Sequence, residues 1–379
     1  MALTSSPVPT TPAALVDVED LRSRVDAAVT AHLTALAAEI AAVSAGADGA
    51  ATALTDQAST LLSGGKRLRA ALCWWSFRAH GGASSGPASE AVVRTGAALE
   101  LFQAAALLHD DVMDNSDTRR GAPTAHRAFA ARHAGSSWSG DSGRFGEAGA
   151  ILLGDLVLIA AQRELSAALA ALAEVAPSVR DAFDRMQSEV VTGQFLDVLV
   201  QAEPWGTDPA ADEERARAVL RAKAAGYSVA SPLELGALLA GASRESADRI
   251  YSAGVPLGEA FQLRDDVLGV FGDPSVTGKP AGDDLREGKR TVLVARAMAG
   301  LRSAGRDLLT GSLGNPGLSD DDVRRIREVI VESGALNDVE HLIDGLYTTA
   351  RAQLDAADLA ARGREMLSAI ARALVDRDA

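Results

Sequence analysis

Apolar residues recur at three- and four-residue steps along most of this chain, and that period sets what it can fold into. From Val18 onward Leu21, Val25, Ala28, Val29, Leu33 and Leu36 follow the rule, which places them on one face of a helix. Further helical stretches are predicted at Glu90–Asp114, Ala148–Leu172, Ser178–Gln201 and Ala210–Gly241. Glycine-rich breaks separate them at Gly64-Gly65, Gly81–Pro87, Gly135–Gly149, Glu203–Pro209, Gly272–Gly282 and Gly311–Gly317. Ser319 before three aspartates reads as a helix N-cap with an acidic first turn. No alternating pattern of useful strand length occurs, and aromatics make up only 4% of the chain. That favours helices over a sandwich or barrel, which draws on aromatic and β-branched residues. The reading is all-α. Residues 1–16 form an irregular Ser/Thr/Pro-rich tail, and residues 17–379 form one helical domain, because no break is long enough for a linker.

Charge and cysteine usage narrow the class further. With 51 acidic and 37 basic residues the net charge is −14, which speaks against a nucleic-acid partner. The lone Cys73 excludes an internal disulfide or a cysteine-based zinc site, and reads as a buried small hydrophobe. The N-terminus lacks the pattern of a secretory signal. Apolar runs such as Ala148–Ala161 are interrupted by Asp155 and fall short of the roughly 20 residues a membrane span needs. The expectation is a cytoplasmic protein with no transmembrane segment.

Two acidic clusters carry the chemistry. The first, His109-Asp110-Asp111-Val112-Met113-Asp114, ends an apolar helix. Asp110 and Asp114 lie four apart, so their carboxylates share a face and repel unless a cation offsets them. The second, Gln262-Leu263-Arg264-Asp265-Asp266, again ends a helical stretch, with Asp283 and Asp284 soon after. Closely spaced carboxylates are the hard ligands Mg²⁺ prefers, completed by water and substrate phosphates. His109 is a poor partner for so hard an ion and reads as a packing or orienting residue. Against these stand Lys66 and Arg69, three apart after Gly64-Gly65 where a helix starts, the pair Arg119-Arg120, and Lys223, Lys279 and Lys289. A glycine turn, a helix N-terminus and cations together bind anions. The combination points to two phosphate-like groups, one held through metal and one directly by cations.

These residues fall in segments that resemble one family, the trans-isoprenyl diphosphate synthases, or polyprenyl synthetases. The matching segments are GGKRLR (64–69), DDVMD (110–114), DTRRG (117–121), GQFLD (193–197), KAAGYS (223–228) and FQLRDD (261–266), with TGKPAGDD and GKRT between Thr277 and Thr291. The resemblance implies an antiparallel helix bundle around a deep central cavity, with the two acidic clusters facing each other at its mouth. It also implies an Mg²⁺-dependent condensation of isopentenyl diphosphate with an allylic diphosphate. Asp110, Asp114 and Asp265, helped by Asp111, Asp197 and Asp266, would bind three Mg²⁺ that hold the allylic diphosphate. Arg119, Lys223 and Lys279 would contact that diphosphate, with Gln194 supporting the metal side and Gln262 and Lys289 among the substrate-binding residues. Lys66, Arg69, Arg120 and Gln103 would hold isopentenyl diphosphate. A homodimer is the family's usual state.

Three departures stand out. The second acidic motif has Gly269 where the family carries a third aspartate, Ala224 stands where the family often has threonine, and the glycine-rich stretch Ser136–Gly149 has no assigned role. A class I terpene cyclase shares one acidic motif but needs no second diphosphate site, so Lys66, Arg69 and Arg120 argue against it. A silent regulatory subunit should lack the metal carboxylates, of which this chain keeps all but the one at Gly269. Product length is read one turn before Asp110. Ala105 and Ala106 leave the cavity open there, and Phe102, three residues further back, is the expected floor. That predicts mainly geranylgeranyl diphosphate (C20), with products of C25 or more as the alternative.

Overall fold

The computed structural model describes residue 15 and residues 17–44, 49–206, 208–273 and 282–376. Most of the predicted tail therefore lies outside the described residues, although Leu15 within it is buried. The described chain is a helical bundle. α1 (Leu21–Val43), α2 (Ala50–Leu62) and α3 (Leu68–Ala79) lead into the long α4 (Pro87–Met113). A two-residue hairpin follows, β1 (Thr118–Arg119) against β2 (Ala122–Pro123). Then come α5 (Ala125–Gly135), α6 (Ser142–Leu169), α7 (Ala176–Ala202) and α8 (Pro209–Leu220). A ten-residue π-helical segment (Arg221–Ala230) joins α8 to α9 (Ser231–Leu239), and α10 (Arg244–Phe271) follows. The remainder is α11 (Asp283–Glu287), α12 (Val292–Gly300), α13 (Ser303–Ser312), α14 (Asp320–Glu332), α15 (Ala335–Ala356) and α16 (Ala361–Val375).

α3 and α4 form the centre. α3 is apolar nearly all round, with Cys73, Trp74, Trp75 and Phe77 buried, the signature of a helix enclosed by others. α4 starts on Pro87, whose missing N–H costs nothing in a first turn. Thr95 through Phe102 are all buried. The predicted cap at Ser319 forms as a full capping box with Asp322.

Several sequence expectations are corrected. Ala210–Gly241 is not one α-helix, because the π segment interrupts it; an added residue per turn leaves the apolar pattern helical and so escapes a periodicity reading. The break at Gly135–Gly149 ends at Asp141, whose side chain caps α6, and Gly146 and Gly149 lie within that helix. Their reason is packing: a Cβ on Gly146 would lie 2.2 Å from the His126 carbonyl oxygen on α5. The β1–β2 hairpin is too short for any alternation to reveal.

Span length is the other correction. Among the described residues, Val18–Val43, Pro87–Met113 and Ser142–Leu169 are long and apolar enough to cross a membrane by length and composition, with mean hydropathies of 1.3, 1.4 and 1.5. Isolated charges such as Asp155 shorten the uninterrupted apolar run but not the helix. The apolar window of Pro87–Met113 is 78% buried, whereas those of Val18–Val43 and Ser142–Leu169 are only 22% and 39% buried.

Candidate active site

The C-terminal turn of α4 delivers the first acidic motif with its side chains divided between two jobs. Asp111 points inward, is 2% exposed, and accepts from Arg119 through Nε at 2.9 Å and through Nη2. Arg119 Nη2 also lies 3.8 Å from Asp110 Oδ2. Asp110 and Asp114 share the other face. Lys223, on the π segment, places Nζ 2.9 Å from Asp110 Oδ1 and 2.6 Å from Asp197 Oδ2 on α7. Lys289 does the same one step along, with Nζ 3.2 Å from Asp114, 3.6 Å from Asp284 and 2.5 Å from Glu287. Glu287 also accepts from Ser116 at 2.7 Å.

This is an acid-rich site held together by two partly buried ammonium groups. Burial raises the cost of the charged form. At Asp110 that cost is overcome by Lys223, Lys289 and Arg119, which hold the carboxyl well below the usual range. Asp114 goes the other way: burial, reinforced by Asp110 and Glu287 and opposed by Lys289, lifts it to about 6. Asp266, on α10, accepts from Gln262 at 2.9 Å. Burial and the charge of Asp284 lift it to about 8. Lys289 is held protonated by its acidic neighbours in spite of its own burial.

The π segment is the element that makes this geometry. Gly193 on α7 and Gly258 on α10 bracket it so tightly that a Cβ would come within 2.3 Å of Lys223 N and 2.4 Å of the Ala225 carbonyl oxygen, respectively. Bulges of this kind often mark functional sites.

A basic cluster lies beside the acidic one. Arg67 takes the left-handed conformation (φ 53°) that opens α3. Its guanidinium is buried against Asp26 (2.7 Å), Glu100 (3.2 Å) and the Leu62 carbonyl (2.6 Å). Arg120 donates to the carbonyls of Leu61 and Ser63. Burial lowers its pKa, opposed by Glu100 and reinforced by the charges of Arg67, Arg119 and Arg69. Arg69 donates to Ser228 Oγ at 2.7 Å and lies 4.3 Å over the Tyr227 ring. Lys66 is exposed at the lip of the glycine turn.

The remaining expected residues are placed as follows. Gln103 is half-buried on α4, and Gln194 reaches Met113 Sδ at 3.8 Å. Asp265 lies beside Asp266 on α10 and is half-buried. Lys279 lies outside the described residues. Phe102 and Ala105 are buried, and Ala106 is half-buried. His109 faces α6, near the Ile151 carbonyl and Asp155, in keeping with a packing role. A Cβ on Gly269 would lie 1.9 Å from Asp284 Oδ2, so the absent third aspartate leaves room that Asp284 fills. Sequence reasoning missed Glu287 and Arg67. Their only signal was position, Glu287 two residues before Lys289 and Arg67 inside the basic segment.

A helical bundle that draws carboxylates from α4, α7, α10 and α11 beside an arginine cluster defines a class of protein: an all-helical enzyme that handles diphosphates. The chain matches the polyprenyl synthetase family over residues 51–330. Geranylfarnesyl diphosphate synthase of Aeropyrum pernix is 33% identical over 320 residues, covering 83% of this chain and 91% of that protein. The (2E,6E)-farnesyl diphosphate synthase of Mycobacterium bovis is 33% identical over 277 residues, 70% of this chain and 67% of that one. The crystal structure of geranylgeranyl pyrophosphate synthase from Corynebacterium glutamicum, complexed with isoprenyl diphosphate and magnesium, superposes with a TM-score of 0.88 at 38% identity, over 96% of this chain and 100% of that one. The chain belongs to the polyprenyl synthetase family, and its activity is that of a trans-prenyltransferase.

Proposed function

We propose that the chain condenses isopentenyl diphosphate with an allylic diphosphate to give mainly geranylgeranyl diphosphate (C20). The observation that carries the length is the burial pattern of α4. Between Thr95 and Asp110 the partly accessible residues are Gln103, Ala106, Leu107, His109 and Asp110, and everything from Thr95 through Phe102 is buried. Accessibility along the helix stops within two turns of the acidic motif. A turn rises about 5.4 Å, close to one extended isoprene unit, so Phe102 forms the floor.

The donor set fits Mg²⁺. Asp110, Asp114, Asp197, Asp265 and Asp266 supply only hard oxygens. The ammonium groups seated between Asp110 and Asp197, and among Asp114, Asp284 and Glu287, support a preference for cationic charge there. Among the described residues no group of three acidic, histidine or cysteine side chains stands gathered around one point; Asp110, Asp114 and Asp265 would hold the ion, and Lys223 would contact the diphosphate beside it. When bound, Mg²⁺ supplies Lewis-acid stabilisation of the departing diphosphate.

The protein's own groups do the rest. Lys223, Lys279 and Arg119 stabilise charge on the leaving oxygens as the allylic C–O bond ionises. The buried apolar wall of α4 excludes water from the allylic cation. Lys66, Arg69 and Arg120 hold isopentenyl diphosphate so that its double bond attacks that cation. The proton then lost passes to the released diphosphate.

A second copy of the chain completes the molecule. Ile151, Leu152 and Ile159 on α6 are 40–60% exposed, and Val191 and Phe195 on α7 are 66% and 65% exposed, an apolar face that a homodimer would cover. Product chromatography tests the length reading. Ala105→Phe shortens the product and Phe102→Ala lengthens it; an unchanged distribution in Phe102→Ala refutes the floor.

A further inference from the structure

Two rings from other elements pack against Phe102. One turn toward the acidic motif lie Ala105 and Ala106, too small to fix a ring. The rings come from α7 and the π segment. Phe183 on α7, fully buried, meets the Phe102 ring edge-on, centroids 6.2 Å apart and planes at 64°. Tyr227 on the π segment meets it at 6.0 Å and 84°. Both are the edge-to-face arrangement that aromatic quadrupoles favour.

Tyr227 has a second contact. Its face carries the Arg69 guanidinium at 4.3 Å, and the same arginine donates to Ser228 next along. A cation over a ring face is attracted by the electron-rich π system. One ring thus touches both Phe102 and a cation of the cluster assigned above to isopentenyl diphosphate.

We infer that Phe183 and Tyr227 clamp Phe102, so that product length is set by the three-ring cluster and is coupled through Tyr227 to Arg69. The inference rests on the proposal that Phe102 is the floor. Phe183 is a positioning residue: it acts by denying Phe102 the rotamers that would open the cavity. Removing its ring therefore lengthens the product with Phe102 still present. Tyr227 acts on length and on the isopentenyl side together.

The experiment compares products from one allylic primer, Michaelis constants for both substrates, and melting temperatures. Its variants are Phe102→Ala, Phe183→Leu, Tyr227→Phe, Tyr227→Leu and the double Phe102→Ala/Phe183→Leu. Phe183→Met fills the space without an aromatic edge and serves where Phe183→Leu does not fold. Phe183→Leu raises the share of longer products roughly five-fold, as loss of one edge-to-face pair allows. The double variant makes nothing longer than Phe102→Ala does. Tyr227→Phe keeps the ring and the parent's distribution. Tyr227→Leu lengthens the product and raises the Michaelis constant for isopentenyl diphosphate more than that for the allylic substrate. If Phe102→Ala lengthens the product but a folded Phe183→Leu or Phe183→Met does not, the clamp is wrong and the floor stands. Additive lengthening in the double variant also overturns the clamp, because Phe183 would then act as a wall of its own. If Phe102→Ala changes nothing, the floor fails, and the clamp with it.

Discussion

At Lys223 a structural tie and the proposed chemistry meet in one side chain. Its ammonium sits between Asp110 and Asp197, two acids that would otherwise repel in a buried setting. Lys223→Met should lower turnover by about 10²-fold or more, the scale of removing one charge-stabilising donor. It should also lower the melting temperature in EDTA, and Mg²⁺ should then raise that temperature more than in the parent, because the metal takes over the missing positive charge. An equal Mg²⁺ response in both proteins would contradict this account. Arg67 is a structural tie at the edge of the basic cluster, buried against Asp26 and Glu100. Arg67→Met strands a buried carboxylate and should cost about 3–5 kcal/mol in denaturant titrations. Cys73 is enclosed, and burial pushes its thiol far above the ordinary range. A thiol reagent should label it only once the protein is unfolded. At this scale the sequence was most legible where two acids share a helical face, as Asp110 and Asp114 do. Glu287 and Arg67 were illegible because their meaning lies in partners far away in the chain: Glu287 in Ser116, Arg67 in Asp26 and Glu100.

Among elements, the long helices were readable because their apolar faces repeat over many turns. Ser178–Gln201 was expected and Ala176–Ala202 is found. The π segment was not readable: its extra residue per turn changes the aim of Lys223 and Tyr227 without altering composition or apolar spacing. Of the glycines around it, Gly193 was legible only as a motif letter and Gly258 not at all, whereas their work is close approach. Gly258→Ala would set a methyl 2.4 Å from the Ala225 carbonyl oxygen. The expected cost is about 1–3 kcal/mol of stability, as in other overpacked contacts, with a loss of turnover as Lys223 shifts. Unchanged stability and turnover would mean that the π segment is looser than its contacts indicate.

For the whole molecule, helical class and family were both accessible from the sequence, since they rest on a period and on motifs in order. Quaternary structure was not, because an apolar helix face reads the same whether a neighbouring helix or a second chain covers it. The exposed stripe on α6 and α7 predicts that the parent sediments as a dimer and that Leu152→Glu with Phe195→Glu yields monomers. A parent that sediments as a monomer at micromolar concentration would contradict the proposal.

The most direct test of the central claim is diphosphate release by the purified chain. It should be measured with isopentenyl diphosphate alone, with an allylic diphosphate alone and with both, each in Mg²⁺ and in EDTA, and with the organic products separated by length. The account predicts release only when both substrates and Mg²⁺ are present, with one isoprene unit added per diphosphate and a C20 product dominant. Release from the allylic substrate alone, yielding a hydrocarbon or alcohol, would contradict it, as would a folded chain that releases none.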